Sequence, residues 1–209
     1  MAFNGAFYDR LYKDKPYARE VERMLPYLKG KTLLDIGGGT GGHAVVLKGK
    51  GFEPHVIDLS ASMLAIAANK GLTTEIADIA TYRSKKTYDS AIAMFHVLNF
   101  CKDLTPVLAN IRDALQDGGV LVFDMWDPTV KKEGSAWRFD GLMTRYSRKK
   151  WRGNEVYIDF FFPFFLRFER NHLYCPSAYD MKKQITEAGF TLEKWEEDGL
   201  NFFGVAKKI

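Results

Sequence analysis

Hydrophobic and polar positions follow two rhythms along this chain. Over residues 17–124, short apolar runs that each end in a polar residue are separated by stretches with apolar positions at helical spacing. The pattern predicts a leading helix over 17–29, where Val21, Met24, Leu25 and Leu28 repeat on one face. A strand follows over 32–36, a helix over 41–50, and a second strand over 53–57 ending at Asp58. Ser60 is a good cap for a helix over 61–69, which stops at Lys70-Gly71. A third strand over 73–77 ends at Asp78, a fourth covers 88–95, and a helix covers 104–116. Asp117-Gly118-Gly119 then turns into a strand over 120–123 that ends at Asp124.

Beyond Asp124 the helical rhythm stops. Residues 142–147, 155–163 and 165–174 read as successive strands with no helix between them, rich in aromatics. Phe160-Phe161-Phe162-Pro163-Phe164-Phe165 is too aromatic for an alternating surface strand, and its proline favours an edge or a bend. Regular units return at the end: Ser177 caps a helix through Ala188, and strands over 190–196 and 202–207 are joined by a link short enough to make them antiparallel neighbours. Strands alternating with helices call for an α/β fold, a doubly wound parallel sheet with right-handed crossovers, here carrying an antiparallel β flap over 126–175. Ligands of such sheets sit beyond the carboxyl ends of the strands, where the strand order reverses.

Length agrees with one domain over 1–209: the chain has 209 residues of which 46% are hydrophobic, enough for one sizeable core. No stretch approaches the roughly 18 consecutive apolar residues of a membrane span, and Met1-Ala2-Phe3-Asn4 lacks the regions of a secretory signal, so a cytoplasmic protein is expected. Cys101 and Cys175 form no C-x-x-C pair and have no histidine cluster at ligand spacing, so no metal site is expected. The net charge of +4 is modest but uneven. Lys131, Lys132, Arg138, Arg145, Arg148, Lys149, Lys150 and Arg152 lie close together, either as an anion-binding surface or as a solvated strand face.

Candidate chemistry starts at Leu33-Leu34-Asp35-Ile36-Gly37-Gly38-Gly39-Thr40-Gly41-Gly42. An apolar strand here ends beside a glycine turn that opens a helix, so backbone N–H groups can approach a ligand closely. The stretch also satisfies Gly-x-Gly-x-x-Gly, which brings a dinucleotide into consideration. A carboxylate just before the glycines repels a pyrophosphate, however, whereas the cationic methionine end of S-adenosylmethionine suits the charge of Asp35. Asp58, about 20 residues beyond the turn, has the position that accepts ribose hydroxyls. Asp78, one strand further out, can accept the exocyclic amine of adenine while Leu59 and Ile79 pack on the ring.

With these residues in place, the chain resembles the class I S-adenosylmethionine-dependent methyltransferases over nearly its whole length. The stretch from Leu34 to Gly41 looks like the first motif of that family, and Val56-Ile57-Asp58-Leu59-Ser60-Ala61-Ser62-Met63-Leu64 looks like the second. The resemblance implies a Rossmann-like seven-stranded sheet whose last strand is antiparallel. It implies backbone contacts to S-adenosyl-L-methionine from Gly37, Gly39 and Gly41, a cofactor site that includes Met63, ribose binding by Asp58 and adenine binding by Asp78. Phe95 would lie near the transferable methyl group.

Within that superfamily the chain is similar to small N-methyltransferases acting on nucleotide-linked amino sugars. Phe7-Tyr8-Asp9, the segment from Lys15 to Glu20, Met94-Phe95, Trp126 and Arg170-Asn171-His172 carry this finer likeness, while Phe100, the shorter front segment and the flap composition depart from it. Tyr8 and Tyr17 are carried over as part of a lid formed by residues 1–30, and Trp126 as an acceptor contact. The implied reaction is in-line methyl displacement at nitrogen or oxygen, leaving S-adenosyl-L-homocysteine. His96 and His172 are the candidate proton acceptors, or else structural histidines. Arg145 is the expected clamp on a substrate phosphate. Competing readings are an RNA methyltransferase, suggested by Arg148-Lys149-Lys150-Trp151-Arg152, a non-catalytic cofactor-binding protein, and a nicotinamide oxidoreductase. A small-molecule acceptor, no nucleic acid, no membrane and a homodimer are the expected partnerships.

Overall fold

Strand positions alternate in the face they bury, and this alternation builds the molecule. The computed structural model describes residues 5–209. Seven strands form the main sheet in the order β10-β11-β5-β4-β1-β2-β3: β1 Thr32–Ile36, β2 Glu53–Asp58, β3 Thr73–Ile76, β4 Tyr88–Ala93, β5 Leu115–Trp126, β10 Phe190–Glu197 and β11 Asn201–Lys208. Strands β1 to β5 are mutually parallel, while β11 runs antiparallel between β5 and β10. Successive residues point to opposite faces. Leu33, Ile92 and Val122 therefore pack with Val21, Met24 and Leu47 of helices α2 (Tyr17–Met24) and α3 (Gly42–Gly49). Leu34, Ala91 and Leu121 pack on the other face with α5 (Leu104–Ala114) and α6 (Ala178–Glu187), through Leu108, Ile111, Met181 and Ile185. Helix α4 (Ala61–Asn69) closes a smaller cluster around Val56 and Leu72.

The inserted unit is a separate antiparallel sheet, β6-β7-β8-β9, made of Gly134–Arg138, Arg145–Arg152, Glu155–Phe162 and Arg167–Tyr174. It has four strands rather than three, because the exposed β6 carries no apolar alternation to reveal it. Asn99 ties this flap to the core. Its Nδ2 donates to the carbonyl of Tyr174 at 2.8 Å, and its Oδ1 accepts from the N–H of Trp126 at 3.0 Å.

Several elements differ from the sequence pattern; the first flap strand expected over 142–147 is Arg145–Arg152, and β5 continues past Asp124 to Trp126. The leading helix stops at Met24 rather than residue 29, because Pro26 has no N–H to continue the ladder. A further short helix, α1 (Gly5–Leu11), precedes it and reaches the flap through Phe7, whose ring meets Phe162 edge-on at 4.9 Å. The fourth strand ends at Ala93 because Phe95 and His96 both adopt the left-handed conformation. Strand β5 begins at Leu115, before the Gly118-Gly119 turn, so α5 ends two residues earlier than its periodicity suggests.

Candidate active site

A cleft of about 600 Å³ lies at the carboxyl ends of β1, β2 and β4, between the main sheet and the inner face of the flap. Strand β1 has β4 on one side and β2 on the other, so this is where the strand order reverses. The turn after β1 forms the floor. Gly37 and Gly39 have φ of 61° and 57°, a region L side chains avoid. A Cβ at Gly37 would strike the Val97 side chain at 2.7 Å, whereas one at Gly39 would find Met63 Sδ at 3.4 Å. Gly39 is thus free of bulk on the cleft side by conformation rather than by crowding. Gly41 has a different role. It opens α3, and a Cβ there would meet Leu72 at 2.3 Å, so it serves packing and does not line the cleft.

Two carboxylates flank the turn. Asp58 accepts the N–H of Gly39 at 3.0 Å on Oδ2 and that of Ser60 at 2.8 Å on Oδ1. Burial raises its pKa, and these backbone donors pull it back. Asp35 is 1% exposed, and its Oδ2 has no hydrogen-bond partner among the described residues. Burial pushes its carboxyl up to about 7, with His43 opposing and Asp58 adding to the rise. A buried, unpartnered carboxylate oxygen facing a cleft is a receptor for a cation or a donor. Asp78 lies at the far end, two residues past β3, and holds the turn by accepting from Ala80 N–H at 2.9 Å. Leu59, 67% exposed, and the buried Ile79 give apolar walls between Asp58 and Asp78.

The roof comes from the N-terminal helices. Tyr8, Tyr12 and Tyr17 all line the cleft, and burial raises each phenol, Tyr17 to about 12. Tyr12 was not foreseen from the sequence; its ring meets Phe95 edge-on at 5.1 Å. Lys15 is ion-paired with Glu20 and lies 4.5 Å over the Phe95 ring, and Glu20 in turn reaches His43 Nε2 at 2.6 Å.

At the other end of the cleft stand His96, Trp126, Ile158, Phe160, Asn171 and Leu173. The N–H of His96 donates to Asp124 Oδ1 at 2.7 Å, so Asp124, expected at a strand end but lying two residues inside β5, holds this turn. His172 is not brought into the cleft. Asn171 and Leu173 point inward, so alternation turns His172 outward, where it stacks on Tyr157 at 4.2 Å and meets Glu155 at 2.8 Å. Arg145 does not line the cleft either, but stands behind Tyr12, whose phenol feels its charge. Its Nη1 is buried with no hydrogen-bond partner among the described residues, and burial beside Arg138 lowers its pKa. The pairing of Ser147 with Phe160, Lys149 with Ile158 and Arg148 with Asp159 sorts the basic run. Arg145 and Lys149 share the inner face; Arg148 and Lys150 share the outer one.

This arrangement fits an adenosyl sulfonium amino acid: an unpartnered buried carboxylate for its cationic end, a turn without bulk, and acidic groups spaced along an apolar slot. Comparison with known proteins agrees. Residues 8–194 match the family described as a methyltransferase domain, and the chain belongs to that family. It is an S-adenosylmethionine-dependent methyltransferase. A protein of Geobacillus sp. (strain WCH70), named as a methyltransferase, is 27% identical, with 97% of each chain covered. Two solved structures share the fold. CalS10, an amino pentose methyltransferase from Micromonospora echinaspora solved with S-adenosylmethionine bound, has a TM-score of 0.80 at 21% identity, covering 100% of this chain and 98% of that one. The sugar N-methyltransferase KedS8 from Streptoalloteichus sp. ATCC 53650 has a TM-score of 0.82 at 22% identity, covering 100% and 94%.

Proposed function

We propose that this enzyme methylates nitrogen or oxygen of a small anionic molecule such as a nucleotide-linked amino sugar. The observation that carries this is Arg145, half-buried on the inner flap face behind Tyr12 of the cleft roof, whose Nη1 is buried with no hydrogen-bond partner among the described residues. A guanidinium nitrogen buried without a partner is costly, and an anion such as phosphate that pairs with it relieves that cost. Structural neighbours that act on amino pentoses or sugars support the same acceptor class.

In this reading Asp35 takes the ammonium end of S-adenosylmethionine, Asp58 the ribose hydroxyls and Asp78 the adenine amine. The N–H groups of the turn at Gly37 and Gly39 approach the ligand, while Tyr8 and Tyr17 cover it as part of a lid formed by residues 5–30, residues 1–4 of the expected lid lying outside the described residues. The cofactor supplies a methyl group on a leaving sulfonium. The protein aligns the acceptor, excludes water with the aromatic walls, and holds its proton acceptor at His96. The flap over 126–175 is the acceptor platform. The reading also takes the enzyme as a cytoplasmic homodimer, supported by the free thiols Cys101 and Cys175 and by the exposed Phe164 and Phe168 of the flap.

A thermal-shift panel tests this directly, since a ligand that binds only the folded state raises its melting temperature. Nucleotide sugars should stabilise the protein beyond S-adenosylhomocysteine alone, and Arg145→Ala should remove that increment while keeping the cofactor shift. An unchanged nucleotide-sugar shift in Arg145→Ala contradicts the clamp. A shift with tRNA and none with nucleotide sugars contradicts the acceptor class.

A further inference from the structure

The acceptor end of the cleft holds an unusual piece of backbone. Phe95 and His96 are consecutive non-glycine residues at φ of 65° and 62°. The left-handed region is disfavoured for L side chains, and strain of this kind persists where the surroundings over-determine it. Three contacts do so at His96. Its N–H is held by Asp124 Oδ1 at 2.7 Å, its ring lies between those of Phe95 and Trp126 at 5.7 and 5.3 Å, and its Nε2 is 2.9 Å from Asn201 Oδ1. Asn201 is itself fixed, as the first residue of β11 in register with Trp126 of β5.

A neutral imidazole has one donor nitrogen and one acceptor nitrogen, and a carbonyl oxygen only accepts. A ring held by Asn201 Oδ1 therefore carries its proton on Nε2 and its lone pair on Nδ1. We infer that Asn201 is a positioning residue that locks His96 in the Nε2–H tautomer and so leaves Nδ1 as the proton-accepting atom at the acceptor end of the cleft. The inference rests on the reading of that end as the acceptor site. In the transfer, the acceptor nitrogen or oxygen bonds to the methyl carbon while the carbon–sulfur bond breaks and sulfur keeps the electron pair. The proton lost by the acceptor passes to His96 Nδ1. The resulting imidazolium still donates Nε2–H to Asn201 Oδ1, and the extra proton leaves to solvent afterwards.

The test is long-range 1H–15N NMR of the full chain labelled at histidine nitrogen, recorded where the imidazole is neutral, with His96 assigned by the signals lost in His96→Gln. The expected spectrum shows a fixed protonated Nε2 and a bare Nδ1, retained in Asn201→Asp, which keeps an acceptor, and averaged between tautomers in Asn201→Leu. An Nδ1–H or averaged ring in the parent overturns the inference, as does a fixed Nε2–H ring in Asn201→Leu. Should Asn201→Leu fail to fold, the parent and Asn201→Asp spectra decide. No cofactor or acceptor is present in this experiment, so its outcome is separate from that of the functional reading, which calorimetric titration with S-adenosylhomocysteine decides.

Discussion

The N–H of Gly39 donates to Asp58 Oδ2 at 3.0 Å, joining the turn after β1 to the end of β2. The carboxylate assigned to the ribose therefore also shapes the glycine turn beside it. Coupling of this kind keeps the two halves of the site in register before any ligand arrives.

Gly39→Ala separates conformation from access. The added methyl meets Met63 Sδ at 3.4 Å and Asp58 Oδ2 at 3.9 Å, both ordinary contacts, so the cost to folding is the left-handed backbone, about 1–2 kcal/mol. Because the methyl projects toward the ligand space, affinity for S-adenosylhomocysteine should fall at least about tenfold while the protein stays folded at 25 °C. Calorimetry alongside thermal denaturation measures both.

Asp35 gives the site a pH dependence. Burial raises its carboxyl to about 7, above its ordinary 3.8, so the folded chain takes up a proton between these values. The resulting stability is full below about pH 4 and is lost as pH rises through about 7. Asp35→Asn should therefore melt higher than the parent at pH 8, with the gap closing toward pH 5. Ligand affinity runs the other way, since an ammonium needs the ionised carboxylate: binding of S-adenosylhomocysteine should tighten from pH 6 to 8 and release a proton. A flat profile in the parent contradicts the assignment.

Asn99 is the hinge pin between core and flap. Asn99→Ala strands the N–H of Trp126 and the carbonyl of Tyr174, each bonded to it at 3.0 and 2.8 Å. The expected loss is about 1–3 kcal/mol, or roughly 2–10 °C in melting temperature for a chain of this size. Differential scanning calorimetry checks it.

The two neighbours Asn171 and His172 should behave differently. His172→Ala removes an outward ring paired with Glu155 and should leave kcat and KM within about twofold, as for surface changes generally. Asn171→Ala alters the inner wall and should raise the acceptor KM by about tenfold. The reverse ranking would place the acceptor on the outer face of the flap.

The sheet and its site were legible where the pattern is local. Strand-end carboxylates at 35, 58 and 78 converge on one cleft because parallel strands share a polarity, and apolar runs reveal such strands. Asp124 was expected to follow the same rule, but β5 runs on to Trp126 and the carboxylate accepts the His96 N–H, because the apolar run does not show how far the strand continues. Which face His172 takes could not be read, because it depends on cross-strand pairing that aromatic, two-faced strands do not display. Gly41 looked like Gly37 and Gly39 in the motif, but its neighbour Leu72 is thirty-one positions away. Asn201 gave no signal for the same reason, facing His96 across more than a hundred residues, and Tyr12 gave none because it follows α1, a helix too short to show a period.

Calorimetric titration of S-adenosylhomocysteine into the parent and Asp58→Ala tests the account most directly. The parent should bind one equivalent per chain, and the variant should lose at least about a hundredfold in affinity, the scale of losing charge-assisted hydrogen bonds together with the turn they hold. Parent-like affinity in Asp58→Ala, or no binding by the parent, would contradict it.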